Sequence, residues 1–197
     1  MNTAPQVSQL TPAARAILDT AGRIFYDRGI SAVGVDTLAA EAGVTKKTLY
    51  DQFGSKATLV AAYLGERDRH FRDWIEREIQ GKDAETQVLA VFDALGSWMD
   101  AHSPKGCAFV HAHGALLNAP DHPAHNVIRG EKVWLRTKFE HLVRAAGRDQ
   151  QQSLATQLAA LLEGATVLRS LADMPDAVDE ARDAADVLLD SPSREGS

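Results

Sequence analysis

Apolar residues in this chain recur every three to four positions, and the runs they form are cut by Gly and Pro. Ile17, Leu18, Ala21, Ile24 and Phe25 set one such ladder, and Leu154, Leu158, Leu161, Leu162, Ala165 and Leu168 set another. That spacing puts side chains on one face of a helix, whereas a half-buried strand needs strict alternation. No sustained alternation is found, so the pattern predicts an all-α chain of about nine helices. The abundance of Ala and Leu over aromatics points the same way.

Punctuation sets the order of elements. Thr11-Pro12 is a hydroxyl cap followed by Pro at the first helical position, and Gly29 ends that first helix. A second helix runs from Val35 to Ala42 and stops at Gly43; a third runs from Thr45 to Phe53 and stops at Gly54. Two short helices joined through Ala42-Gly43-Val44-Thr45 have the spacing of a helix-turn-helix. Ser55 can cap a long fourth helix, which starts apolar and becomes heavily charged before Gly81. Five more follow: Ala84 to His102, then "CAFVHAHGALLN", then Ala124 to Ala146, Asp149 to Ala172, and a last one from Pro175 to Asp190. Residues 1–10 and 192–197 read as flexible tails, with a helix-turn-helix domain over 11–56 and a larger helical domain over 57–191.

Charge singles out one stretch. The 197-residue chain has a net charge of -6, yet "GVTKKTLYDQFGSK" holds three lysines and one acid. Residues 1–58 hold six Lys/Arg against five Asp/Glu, and the rest hold fifteen against twenty-two. A locally basic head on an acidic body suits a head that touches a polyanion. In the third helix Leu49 and Phe53, four apart, can face a small core, which leaves Lys46, Lys47 and Gln52 outside. Thr45 stands at the helix N-terminus, where free N–H groups favour a phosphate, and Tyr50 can pack its ring while offering its hydroxyl. Lysine to phosphate gives affinity; Lys or Gln to base edges gives specificity.

The string "AILDTAGRIFYDRG … VDTLAAEAGVTKKTLYDQFGSKATLV", over residues 13–60, resembles the DNA-binding head of the tetracycline-repressor (TetR) family of bacterial transcription regulators. The resemblance implies a three-helix head and a six-helix C-terminal ligand-binding and dimerisation domain. It implies a twofold homodimer on a palindromic double-stranded operator, and release of a repressor by a small-molecule effector. Thr45, Lys46, Lys47, Thr48 and Tyr50 are then expected on DNA, Lys56 on a phosphate, and Thr37 is a further phosphate candidate. The chain departs from the family pattern at Gly34, where the second helix often begins with Ser or Thr. Asp36 either complements the helix dipole or repels phosphate, and Asp51 either accepts from a cytosine amino group or repels the backbone.

In the body, Phe71, Trp74, Trp98, Phe109, His113, Leu117, Trp134 and Phe139 are candidates for a sensor pocket, with core packing the leading alternative for each. The stripe Leu154, Leu158, Leu161, Leu162, Ala165 and Leu168 is the candidate dimer face, again with core packing as the alternative. His122 and His125 could share a helical face and His111 and His113 could not; no Cys or carboxylate spacing accompanies them, so no metal is expected. No cofactor is expected either.

Several classes are disfavoured. No nucleophile elbow, P-loop, dinucleotide fingerprint or H-E-x-x-H is present, so an enzyme is not expected. No apolar run is long enough to span a bilayer, and the N-terminus carries no apolar signal segment. The lone Cys107 cannot form an internal disulfide, which fits a reducing cytoplasm. A DNA-binding architectural protein without a ligand is the remaining rival.

Overall fold

The computed structural model describes residues 10–190, so the expected tails lie, but for residue 10, outside the described residues. Among the described residues there are nine helices and no strand: α1 (Pro12–Arg28), α2 (Val35–Glu41), α3 (Lys46–Phe53), α4 (Lys56–Ile79), α5 (Ala84–His102), α6 (Ala108–Ala115), α7 (Ala124–Ala145), α8 (Gln151–Leu171) and α9 (Ala177–Asp190).

The helices start where hydroxyl and carboxylate caps stand. Thr11 accepts from the Ala14 N–H at 3.1 Å, Thr45 from Thr48 at 3.1 Å, Ser55 from Thr58 at 3.0 Å and Asp83 from Thr86 at 3.0 Å. Each satisfies a donor that the first turn would otherwise leave open. Gly34 offers no side-chain cap to α2, and Asp36 sits in that first turn instead.

The chain forms two compact units. The first comprises residues up to His70 together with Ala108–Gly130. In it α1, α2 and α3 pack on one another around Ile17, Leu18, Ile24, Leu38, Leu49 and Phe53. The start of α4 adds Leu59, Val60 and Leu64, all fully buried, and sets Tyr63 with its ring 5.8 Å from Phe25. The second comprises Phe71–Cys107 and the chain from Glu131 on. Its core holds Ile75, Phe92, Leu135, Phe139 and Leu158, with α9 lying along α5 and α8.

This division differs from the expected boundary after residue 56. Punctuation marks where a helix begins, and α4 begins at Lys56; it does not reveal that one helix serves two cores. Nor does it reveal that α6 and the segment after it join the first unit.

The apolar stripe on α8 is also redistributed. Leu154, Leu158, Leu162 and Ala165 are buried in the core of their own unit, and Leu161 packs partly against it. Of the six, only Leu168 is exposed. The exposed apolar face of α8 is the neighbouring one: Ala160, Gly164, Val167, Leu168 and Leu171. A ladder in sequence gives a helix a buried side but not the identity of what buries it.

Candidate nucleic-acid interface

The turn before α3 is built by Gly43. At φ 66° it takes the left-handed conformation, and two hydrogen bonds close the end of α2, Gly43 N–H to Ala40 O at 3.2 Å and Val44 N–H to Ala39 O at 3.0 Å. That pair is a Schellman motif. Leu49 and Phe53 then hold α3 down, both with essentially no exposed surface. Lys46, Lys47, Tyr50 and Asp51 are turned outward, with Thr48 half-buried beside them. Thr37 is exposed on α2.

Few of these polar groups stand alone. Lys46 Nζ lies 2.9 Å from Asp36 Oδ1, and Lys47 Nζ lies 2.6 Å from Asp51 Oδ2 one turn on. The hydrogen bond to Asp36 raises the Lys46 pKa. The Thr45 and Thr48 hydroxyls are 2.8 Å apart. The Gln52 side-chain oxygen accepts from the Thr11 hydroxyl at 2.8 Å. The two acids that could repel phosphate are thus each bound to a lysine that could attract it.

Lys56 departs most from a simple phosphate clamp. Its Nζ donates to the Ile30 carbonyl at 2.6 Å and lies 5.9 Å from the Phe25 ring centroid. Burial lowers its pKa. The other head cations are engaged as well. Arg15 pairs with Glu66 at 2.5 Å, while Arg23 at 3.0 Å and Arg28 at 2.6 Å share Glu41, whose pKa is lowered by those two hydrogen bonds, Arg23's foremost. Counting charges could not show this neutralisation. The Lys47–Asp51 pair had a signal, the four-residue spacing on one helix face; Lys46–Asp36 and Lys56–Ile30 join residues across turns and had none.

The sensor candidates do not converge. Phe71, Trp74 and Trp98 form an aromatic group in the second unit, with ring centroids 5.3 Å and 5.8 Å from Trp98. Trp74 donates to Ser97 Oγ at 3.0 Å. Phe139 is packed against Phe92, and Trp134 lies under the Arg72 guanidinium. Phe109, His113 and Leu117 belong to the first unit, where Phe109 is buried and Leu117 is 66% exposed. A cavity of about 330 Å³ lies within that first unit, and none of the eight lines it.

His113, His122 and His125 approach one another, with ring centroids 6.0 Å and 6.3 Å from His125. His122 Nδ1 accepts from the Ala124 N–H, and His125 Nε2 meets the Ala119 carbonyl. Among the described residues no group of three or more His, Cys, Asp or Glu is placed to hold a metal. Cys107 is half-buried, with Lys132 Nζ 3.6 Å from its sulfur and 2.5 Å from Glu163. No helix among the described residues is long and apolar enough to cross a membrane.

A three-helix bundle whose last two helices meet at a tight glycine turn, with the final helix turning its polar face outward, is a helix-turn-helix DNA-binding head. Residues 17–63 match the family of bacterial regulatory proteins, tetR family. Over 168 residues the chain is 37% identical to an uncharacterized HTH-type transcriptional regulator of Mycobacterium tuberculosis (strain ATCC 25618 / H37Rv), covering 73% of this chain and 80% of that protein. The crystal structure of a TetR-family transcriptional regulator from Streptomyces coelicolor is similar with a TM-score of 0.82 at 31% identity, over 90% of this chain and 94% of that one. Over 48 residues the chain is 46% identical to the HTH-type transcriptional activator FasR of Mycolicibacterium smegmatis, which spans 24% of this chain and 22% of that one. The chain belongs to the tetR family and is a bacterial transcriptional regulator with a DNA-binding head, not an enzyme.

Proposed function

We propose that the protein binds a palindromic operator as a homodimer in the cytoplasm, represses transcription there, and is released by a small molecule. The observation that carries the reading is the outward face of α3. Lys46, Lys47, Tyr50 and Asp51 project from a helix whose other side is anchored by Leu49 and Phe53. A helix in the major groove contacts bases through its N-terminal residues. In this reading Thr37, Thr45 and Tyr50 meet phosphates, while Lys46, Lys47, Thr48, Asp51 and Gln52 lie against base edges and adjoining backbone. Lys46 and Lys47 exchange their carboxylates for DNA. Lys56 serves the same strand indirectly, by holding the segment at Ile30 to the start of α4.

The dimer face is assigned to the exposed side of α8 around Ala160, Gly164, Val167, Leu168 and Leu171, supported by Val187 on α9, which is also exposed. Exposed apolar residues grouped on neighbouring elements mark interaction surfaces, and Gly and Ala on such a face let backbones approach.

The test is fluorescence anisotropy of the full chain on DNA flanking its own gene and on scrambled DNA, at several salt concentrations. Tight binding to the first alone supports the reading; equal binding to both, with no site enriched from a random pool, sinks it. The relative FasR is named an activator. Transcription from the bound promoter with and without the protein therefore decides repression.

A further inference from the structure

We propose that the cavity in the first unit is a binding site for an uncharged, planar aromatic molecule of one or two rings, and that its occupancy reaches the reading helix through Ile30 and Lys56. The inference rests on the reading of the protein as a ligand-responsive regulator, and names the site and the class of ligand.

The cavity exists because α6 presents small residues. Ala108, Ala112 and Ala115, spaced four and three apart on one helix face, leave room that larger side chains would fill. The rings of Phe25, Tyr26 and Tyr63 line it as well. Its volume of about 330 Å³ is at the small end for ligand pockets, which limits the occupant to one or two rings. Apolar walls that carry rings favour offset or edge-on aromatic contact.

The charges around the cavity argue for a neutral guest. No Asp or Glu lines it, and its one Arg, Arg28, is bound to Glu41 at 2.6 Å. The Arg67 guanidinium is committed to the Tyr26 ring, 4.5 Å from its centroid. The His111 ring stacks 6.2 Å from Tyr26, and burial together with the Arg67 charge lowers its pKa, which keeps it neutral near pH 7. A neutral imidazole can give or accept one hydrogen bond, enough to orient a ring N–H or hydroxyl.

The part of the wall that follows α1 is the link to DNA. Gly29, Ile30, Ser31 and Ala32 line the cavity and lead through Val33 and Gly34 into α2. The Ile30 carbonyl is held by Lys56, the first residue of α4 and two residues after Gly54, the C-cap of α3. A guest pressing on this segment loads both helices of the helix-turn-helix. DNA affinity then changes by the guest's differential affinity for the DNA-bound and free forms.

Indole is the probe. Calorimetry of the full chain is expected to give one indole site. Ala115→Phe, at the exposed mouth where a larger ring can fold in, should weaken it by about tenfold or more, and Tyr26→Ala by about threefold. Both variants are checked for unchanged helicity, so that either suffices if the other fails to fold. Saturating indole should lower wild-type affinity for a duplex selected from a random pool by about fivefold, within the usual range of coupling between sites, and leave Ala115→Phe unmoved. Unchanged indole binding in both folded variants, or none in the wild type, overturns the site. Indole-3-acetate binding about tenfold tighter than indole overturns the neutral class. DNA affinity indifferent to indole overturns the transmission. A selection that enriches no duplex removes the regulator reading and the transmission with it, while the calorimetry still decides the cavity.

Discussion

Helices α3 and α8 both carry apolar residues at helical spacing, but only in α3 does that spacing say which side meets solvent. In α3 two residues, Leu49 and Phe53, account for the buried face, because the helix is short and packs chiefly on α1 and α2. The rest of it is polar, with Lys46, Lys47, Tyr50 and Asp51 outward and Thr48 and Gln52 half-buried. In α8 apolar residues cover more than half the circumference: Leu154, Leu158, Leu162 and Ala165 enter the core, while Val167, Leu168 and Leu171 remain exposed. A helix with one apolar face has its orientation written in its sequence; a helix with two needs the structure to tell them apart.

The largest effect should separate the two faces of α8. Leu158→Ala, at a position with no exposed surface, should cost about 2–5 kcal/mol of unfolding free energy in urea, through lost burial and the cavity left behind. Leu171→Asp, at a position 73% exposed, should instead convert a dimer to a monomer in light scattering and leave helicity intact. If Leu158→Ala dissociates the protein without lowering its stability, the assignment of the two faces is reversed.

A smaller loss is expected at the turn that presents α3. Gly43 has φ 66° and open space where a Cβ would stand. Gly43→Ala therefore pays only for backbone conformation, about 1–2 kcal/mol, read by the same urea titration. Its DNA affinity should fall beyond this only if the angle between α2 and α3 moves, which anisotropy on the same duplex reads directly.

What the sequence disclosed follows the same divide. Caps, glycines and prolines placed α1 to α9 to within a few residues, because signals such as the Thr11 and Ser55 hydroxyls act on their own first turns; the Asp83 cap of α5 shows only in the structure. The outward face of α3 was legible because Gly43 and the Leu49–Phe53 pair are local. The partners of its cations were not: Asp36, Glu41 and the Ile30 carbonyl meet Lys46, Arg23, Arg28 and Lys56 only after the helices pack. The cavity was illegible for a related reason. Aromatic residues stand out in a sequence as pocket walls, whereas this space arises from alanines on α6, which carry no such signal.

Lys47→Ala tests the head's affinity. The side chain is 83% exposed and must leave Asp51 to reach a phosphate, and an exposed ion pair is weak enough to give it up. Affinity should fall by about 1 kcal/mol on selected and unrelated duplexes alike, with the salt slope reduced by about 1. Unchanged affinity would remove this face from the interface.

The smallest expected effect concerns the other half of that pair. Asp51→Asn keeps the size of the side chain and removes its charge, so Lys47 is no longer held 2.6 Å from a carboxylate. If Asp51 acts by occupying Lys47, affinity for unrelated DNA should rise by less than about 1 kcal/mol, and the salt slope should steepen, because one more cation is available to displace counterions. Base preference would not move. If Asp51 instead accepts from a cytosine amino group, Asn at the same place favours adenine, and pool selection should show one position changing from cytosine to adenine. The pairing in the free protein favours the first outcome: the acid on the reading helix lowers attraction to any phosphate, so that a site with the right base edges gains relative to the rest of the DNA. A change of preference at a single base pair, with the affinity for unrelated DNA unaltered, would move Asp51 from the control of affinity to the reading of sequence.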